Sequence, residues 1–351
     1  MNVVGWDVGG VHLKAARIEG DRVVDALQLA APLRAGLEPL VQAFERAKVR
    51  MGGVDCHAVT MTAELADTFA SRAEGVTGIA ALAARTLSGR VALYAGRAGF
   101  IPLEAASRHV SDIASANWHA SAAFVAGRCK HALFIDMGST TTDIVPIANG
   151  EIGANGYTDA ERLAAGELVY TGLVRGFVMA TATRAPFAGT WTPLVNENFA
   201  NMADVHRILG TLPADADQMA TPDGREKTVE ASRARLARMV GADAADAADA
   251  DWKFLARWFA EAQMRAIVDA VMLVLSGQSV APNAPIVGAG VGTHLIEEIA
   301  RRLGRDYVRF ETLLHVAPQA RAMASQCAPA AAVALLAAAT MNRLDLPRAA
   351  K

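Results

Sequence analysis

Two short stretches of this chain combine residue types that handle phosphate. Near the start, Asp7 is followed by Gly9-Gly10, and Lys14 stands a few residues on. Near the middle, Asp136 is followed by Gly138 and a hydroxyl run, Ser139, Thr140 and Thr141, with Asp143 just beyond. Glycine in a tight turn leaves backbone N–H groups open to an anion, with no side chain in the way. The hydroxyls and the Lys14 ammonium add donors. Asp7 and Asp136 can hold a divalent cation, with water completing its shell. Two such loops facing one another would clamp a phosphate or diphosphate together with Mg2+. Strand alternation puts Asp143 on the same face as Thr141.

Strand-and-turn units must present these loops. The apolar alternation and turn residues predict strands at 2–8, 11–18 and 22–29, then a helix over 37–49, a strand at 58–61, a helix over 78–88 and a strand at 91–94. The same order restarts at residue 131, with strands at 132–137, 140–147 and 151–153. A duplicated meander with crossovers predicts two similar α/β domains, 1–115 and 116–351, with the loops in the cleft between them. A helix is expected over 159–180, with Thr158 as its cap and Glu161 completing a capping box. Helices are also expected at 195–209, 227–240 and 251–276, making a helical insert at about 195–265. A solvated Ala/Asp loop separates them at 242–251. A strand at 285–287 runs into Gly288-Ala289-Gly290-Val291-Gly292, followed by a helix at 294–303 and a closing helix at 329–340.

Composition narrows the class. A chain of 351 residues is long enough for two well-buried cores. Its net charge of -2 offers nothing to a polyanion, so nucleic acid is not an expected partner. Apolar residues make up 52%, but much of this is alanine, read as the mark of a GC-rich genome. The longest apolar stretch, 328–341, is too short and alanine-rich to span a bilayer. Cys56, Cys129 and Cys327 lie far apart and read as reduced thiols. The eight histidines show no metal spacing. The chain opens on a strand rather than a basic and apolar leader, so a cytoplasmic protein without a membrane partner is expected. Apolar helix faces within 195–275 point to a homodimer.

The first loop (Asp7–Lys14), the second (Asp136–Asp143) and the run Gly288–Gly292 before a helix together resemble the superfamily of actin, sugar kinases and chaperone ATPases. Within it, the Gly-Trp-Asp-Val-Gly-Gly start is similar to the hydantoinase/oxoprolinase-like branch. The stretches 60–65, 115–118, 159–172, 203–205 and 223–239 resemble one small family of that branch, the methanofuran (methylofuran) biosynthesis synthases of tetrahydromethanopterin-linked one-carbon metabolism.

The resemblance implies two ribonuclease-H-like domains. It also implies an alkyl transfer in which an (aminomethyl)furan-methyl diphosphate is joined to the phenol oxygen of a tyramine- or tyrosine-based acceptor, with release of pyrophosphate. In that chemistry Mg2+ would sit near Asp7 and Asp136. Gly9, Gly10, Gly138, Ser139, Thr140 and Thr141 would surround the diphosphate, with Lys14 adding charge. Asp143 or Glu167 would be the base. Gly288, Gly290 and Gly292 would match the superfamily's nucleotide motif, or lie toward the furan. Asn117 is assigned to substrate on resemblance alone. Whether ATP binds stays open. An ATP-dependent kinase or a hydantoinase-type hydrolase is the alternative on the same fold. Each assignment has a structural counterpart: a tight strand-to-helix connection for Gly288–Gly292, a surface lysine for Lys14, a helix-surface ion pair for Glu167.

Overall fold

The computed structural model describes residues 1–277 and 280–341; the last ten residues of the expected second domain, 342–351, lie outside them. The chain opens with β1 (Asn2–Val8), β2 (His12–Glu19) and β3 (Arg22–Ala30). It continues through α1 (Glu38–Met51), β4 (Cys56–Met61), α2 (Arg72–Thr86), β5 (Arg90–Tyr94) and β6 (Phe100–Pro102). Two helices follow, α3 (Val110–Ile113) and α4 (Asn117–Ala126). The pattern then restarts with β7 (His131–Met137), β8 (Thr142–Ala148) and β9 (Glu151–Ile152). After these come α5 (Asp159–Ala164), β10 (Leu168–Val169), α6 (Val178–Thr181) and the hairpin β11 (Arg184–Phe187) with β12 (Thr190–Pro193). The insert helices are α7 (Met202–Leu209), α8 (Val229–Arg238) and α9 (Asp249–Ser276). The chain closes with β13 (Ile286–Gly290), α10 (Thr293–Arg302), β14 (Tyr307–Arg309), β15 (His315–Val316), α11 (Arg321–Gln326) and α12 (Ala328–Met341).

The first sheet is ordered β15-β3-β2-β1-β4-β5-β6 and the second β10-β8-β7-β13-β14, with β9 on β8. In each, an antiparallel meander is continued by two parallel strands: β1 pairs β4 and β4 pairs β5, as β7 pairs β13 and β13 pairs β14. This is the ribonuclease-H-like arrangement twice over, so the molecule is an α/β duplication.

Alanine has a packing reason where α12 meets β1. The two lie so close that a Cβ on Gly5 would stand 2.0 Å from the Ala330 carbonyl oxygen. Only small residues permit that approach. One apolar cluster therefore runs from Val3 and Ile18 of the first sheet, through Phe124 and the α12 alanines, to Phe134 and Val145 of the second. The C-terminal segment thus departs from the expected division at 115/116, since β15 pairs with β3 and α12 packs on β1, β2 and β4. The insert has a core of its own around Trp252, Phe259 and Leu236. Its stretches 203–205 and 223–239 are tied by buried Asp204, which takes Ser232 Oγ at 2.8 Å and Arg235 Nε at 2.9 Å.

Two expected helices are shorter. The 159–180 helix stops at Ala164, because Gly166 turns the chain at φ +71 and Leu168–Val169 then pairs with β8. The expected 195–209 helix begins at Met202, where Asn201 caps it. The solvated 242–251 run instead starts α9 at Asp249. Among the described residues no single helix is long and apolar enough to cross a membrane. One bent pair, 318–326 with 328–340, passes on length and composition but turns by 107°, and its second helix is the buried α12.

Candidate functional site

Both loops close with the same hydrogen bond. The Gly9 amide donates to the His12 carbonyl at 3.0 Å, and the Gly138 amide to the Thr141 carbonyl at 2.9 Å. These two glycines therefore shape the turns rather than offer their own amides to an anion, which corrects the donor role expected of them. Gly10 meets nothing within 4 Å of where a Cβ would stand, and it lines the cavity together with Val11, Thr140 and Thr141. Ser139 lies beside Thr140, with the two hydroxyls 3.4 Å apart. The second loop is braced from behind, where Leu173 N–H donates to Gly138 O at 3.1 Å and Arg175 N–H to Ser139 O at 2.8 Å. Gly172 makes that brace possible, since a Cβ there would lie 2.4 Å from Thr140 N.

Strand register assigns the charges. In the first sheet Asp7 stands opposite Lys14; in the second Asp136 stands opposite Asp143. Lys14 Nζ lies 3.8 Å from Asp7 Oδ2. Burial works against the charge on Lys14, but Asp7, Asp136 and Asp143 all favour it, and its pKa ends above the ordinary value. Burial pushes Asp136 up to about 7, with Asp143 and Asp7 adding to the rise and Lys14 opposing it. Burial also raises Asp7, against Lys14 and against Asn117, whose Nδ2 lies 3.5 Å from Asp7 Oδ1. Lys14 and Arg162 face three carboxylates, Asp7 and Asp136 buried and Asp143 half-buried, so one negative charge is left in excess when all are ionised. The donors are hard oxygens only, so Asp7 and Asp136 fit Mg2+, which keeps several waters and shares its shell with phosphate.

Asp143 lines the cavity, and Arg162 Nη1 donates to its Oδ1 at 2.8 Å. Asn117 opens α4 and lines the same cavity. It is presented by Ser115, a non-glycine residue at φ 54 whose Oγ donates to Glu64 Oε1 at 2.9 Å. The cavity holds about 700 Å3. Leu65, Tyr170 and Phe177 line it while remaining well exposed at 52%, 68% and 44%, so an apolar wall stands beside the phosphate loops.

Two expected assignments fall elsewhere. Glu167 is fully buried, and its oxygens accept the amides of Asn155 at 2.6 Å and Gly156 at 3.0 Å. It pins a loop and does not line the cavity, which corrects its expected role as base. Glu167→Ala is expected to lower unfolding stability by about 2–4 kcal/mol, because two amides lose their acceptor. Activity per folded molecule should hold. Denaturant titration beside kcat checks this, and a kcat loss at unchanged stability would return Glu167 to the chemistry.

Gly288, Gly290 and Gly292 are buried and, like Asp7, Lys14, Asp136 and Ser139, are not on the cavity lining. A Cβ on Gly288 would meet the Tyr307 ring at 2.6 Å, one on Gly290 the Met137 carbonyl oxygen at 2.2 Å, and one on Gly292 Met137 Sδ at 2.3 Å. Gly288 is thus packed on β14, while Gly290 and Gly292 are packed on the end of β7, Gly290 directly against the Asp136 carboxylate, which would lie 2.4 Å from its Cβ. Sequence reasoning missed Arg162, Arg34, Arg175 and the apolar wall, because single arginines and scattered apolar residues carry no spacing signal.

The hydantoinase/oxoprolinase family profile matches residues 55–339. A protein of Methanocaldococcus jannaschii, named (4-{4-[2-(gamma-L-glutamylamino)ethyl]phenoxymethyl}furan-2-yl)methanamine synthase, is 35% identical over 69% of this chain and 72% of its own. A Methanococcus vannielii protein of the same name is 34% identical over 32% of this chain and 51% of its own. Both relatives are named as enzymes. Among solved structures, nucleotide-free acetone carboxylase shares the fold at a TM-score of 0.56 and 10% identity, covering 94% of this chain and 70% of that one.

Proposed function

This chain belongs to the hydantoinase/oxoprolinase family, and we propose that within it the chain joins a furan-methyl diphosphate to the phenol oxygen of a tyramine- or tyrosine-based acceptor, releasing pyrophosphate. The observation that carries this reading is a single cavity shared by two phosphate loops and an apolar, partly aromatic wall. A small polar phosphate acceptor would leave Leu65, Tyr170 and Phe177 without a purpose, whereas a furan and a phenol both match them. The names of the two archaeal relatives support it, since that product contains the phenoxymethylfuran linkage. The buried, packed state of Gly288–Gly292 favours a diphosphate carried by the substrate over one supplied by ATP.

In the proposed step the furfuryl C–O(diphosphate) bond breaks, its electron pair leaves with pyrophosphate, and the phenol oxygen bonds to the same carbon. Charge growing on the leaving group is met by Lys14, the Gly10 amide and the hydroxyls of Ser139, Thr140 and Thr141. Mg2+, held at Asp7 and Asp136, would neutralise further diphosphate charge. The phenol proton passes to Asp143. Burial lifts that carboxylate above its ordinary pKa despite Arg162, which strengthens it as a proton acceptor while Arg162 fixes its orientation.

Asp143→Asn is expected to lower kcat/KM by about 10²–10⁴-fold. The loss should shrink for ring-fluorinated acceptors, whose phenols ionise without help. An equal loss across the acceptor series would remove Asp143 from proton transfer. The reading itself is tested by mass spectrometry with Mg2+. One incubation holds the furan-methyl diphosphate with tyrosine, tyramine and their γ-glutamyl forms, and the other ATP with the same phenols. Ether and pyrophosphate only in the first support alkyl transfer; ADP only in the second moves the protein to kinase or ATPase chemistry.

A further inference from the structure

Each phosphate loop carries an arginine on its back. Arg34 lies in the helical turn Leu33–Ala35, anchored to the first loop where Leu33 N–H donates to Gly10 O at 3.0 Å. Arg175 is anchored to the second loop by its own amide on Ser139 O at 2.8 Å. Both residues line the cavity, one beside each loop.

The other charges on that wall are largely spoken for. Arg162 holds Asp143, and Asp159 takes Arg72 at 3.0 Å. Arg34 and Arg175 make no ion pair among the described residues, not even with Asp67, the remaining carboxylate on the lining. They also face each other electrostatically: burial, then the charge of Arg34, disfavours the charged form of Arg175. Two guanidinium groups that repel one another across a shared cavity, with no carboxylate paired to either, are unfavourable alone and favourable around an anion. Their planar forks match phosphate oxygens in a bidentate manner that a lysine cannot reproduce.

We infer that Arg34 and Arg175 form a two-arginine clamp, one arm on each loop, that grips the outer phosphoryl group of the substrate's diphosphate and stays on it as pyrophosphate leaves. This rests on the alkyl-transfer reading for the identity of the ligand. The clamp gives the site a preference for diphosphate over monophosphate, because the inner phosphoryl group is served by Lys14 and the loops while only a second one reaches both arginines.

The test titrates inorganic pyrophosphate and, separately, orthophosphate into the full-length protein with Mg2+ by calorimetry. Wild type, Arg34→Gln, Arg175→Gln and Arg175→Lys are compared. Each Gln variant should weaken pyrophosphate binding by about 10- to 100-fold. Orthophosphate binding should change less than about 3-fold. Arg175→Lys should recover part of the affinity. Melting temperatures should stay at the wild-type value, since neither arginine holds another side chain. Pyrophosphate affinity within about 2-fold of wild type in both Gln variants overturns the clamp, as does a wild type that binds no pyrophosphate. Neither furan nor phenol is needed, so the two readings fail separately. Arginine-dependent pyrophosphate binding without ether formation keeps the clamp and removes the alkyl transfer. Ether formation with unaltered variants removes the clamp alone.

Discussion

Asp136→Asn is expected to lower turnover by about 10³-fold or more while leaving the protein at least as stable as wild type at neutral and higher pH. The two halves of that result have one cause. Asp136 is buried beside Asp143 and Asp7, and its carboxyl titrates at about 7 rather than near its ordinary 3.8. A carboxyl whose pKa is raised by folding favours the folded state fully below the unfolded value. That contribution is lost as pH rises through about 4 to 7, where the folded protein must carry a buried charge that the unfolded chain solvates. Asparagine has the same shape and no charge, so the variant escapes the loss. Melting temperatures in EDTA should therefore converge below pH 4 and separate above pH 7, with the variant higher. Divalent cations should raise wild type more than the variant. Undiminished turnover in Asp136→Asn would remove the metal assignment. A variant that melts lower than wild type at pH 8 in EDTA would mean that the charge at this position is stabilising.

Gly290→Ala is expected to cost several kcal/mol of stability, enough to prevent accumulation of folded protein at growth temperature. Gly290 holds φ +88, a conformation that strains any residue with a Cβ. That Cβ would lie 2.2 Å from the Met137 carbonyl oxygen and 2.4 Å from Asp136 Oδ1. These atoms are a strand carbonyl and the carboxylate of the site, so accommodation must separate β13 from β7 or displace Asp136. Expression, melting temperature and pyrophosphate affinity of the variant check this. A glycine kept only for nucleotide approach would give a different result: a stable protein with a normal melting temperature and impaired binding of ATP alone.

How much was legible follows from the range of each interaction. The two loops, their acids and the capping box at Thr158 and Glu161 are local features, set by a few neighbouring residues, and the structure shows them where the residue types put them. The helix over 159–180 looked sound by periodicity, yet a positive φ at Gly166 and the pairing of Leu168 with Asp143 end it. Partners distant in the chain decided that element, and a local pattern cannot weigh them. Glu167 sat at a plausible distance from the second loop in sequence, but two backbone amides from the 155–156 turn occupy it. The alanine richness read as compositional bias turned out, in α12, to be what lets a helix touch β1.

By itself the sequence determined that this is a duplicated α/β protein with an acid and a glycine turn at the end of each first strand, because hydrophobic period, turn chemistry and residue type act over short distances. The tertiary structure alone decided that Lys14 meets Asp7 while Asp143 meets Asp136, since cross-strand register depends on both strands at once. It also decided that the glycine run is buried against β7 and β14, and that Arg34 and Arg175, 141 residues apart in sequence, line one cavity. Electrostatic and steric effects depend on distance in space, and only the folded chain sets that distance.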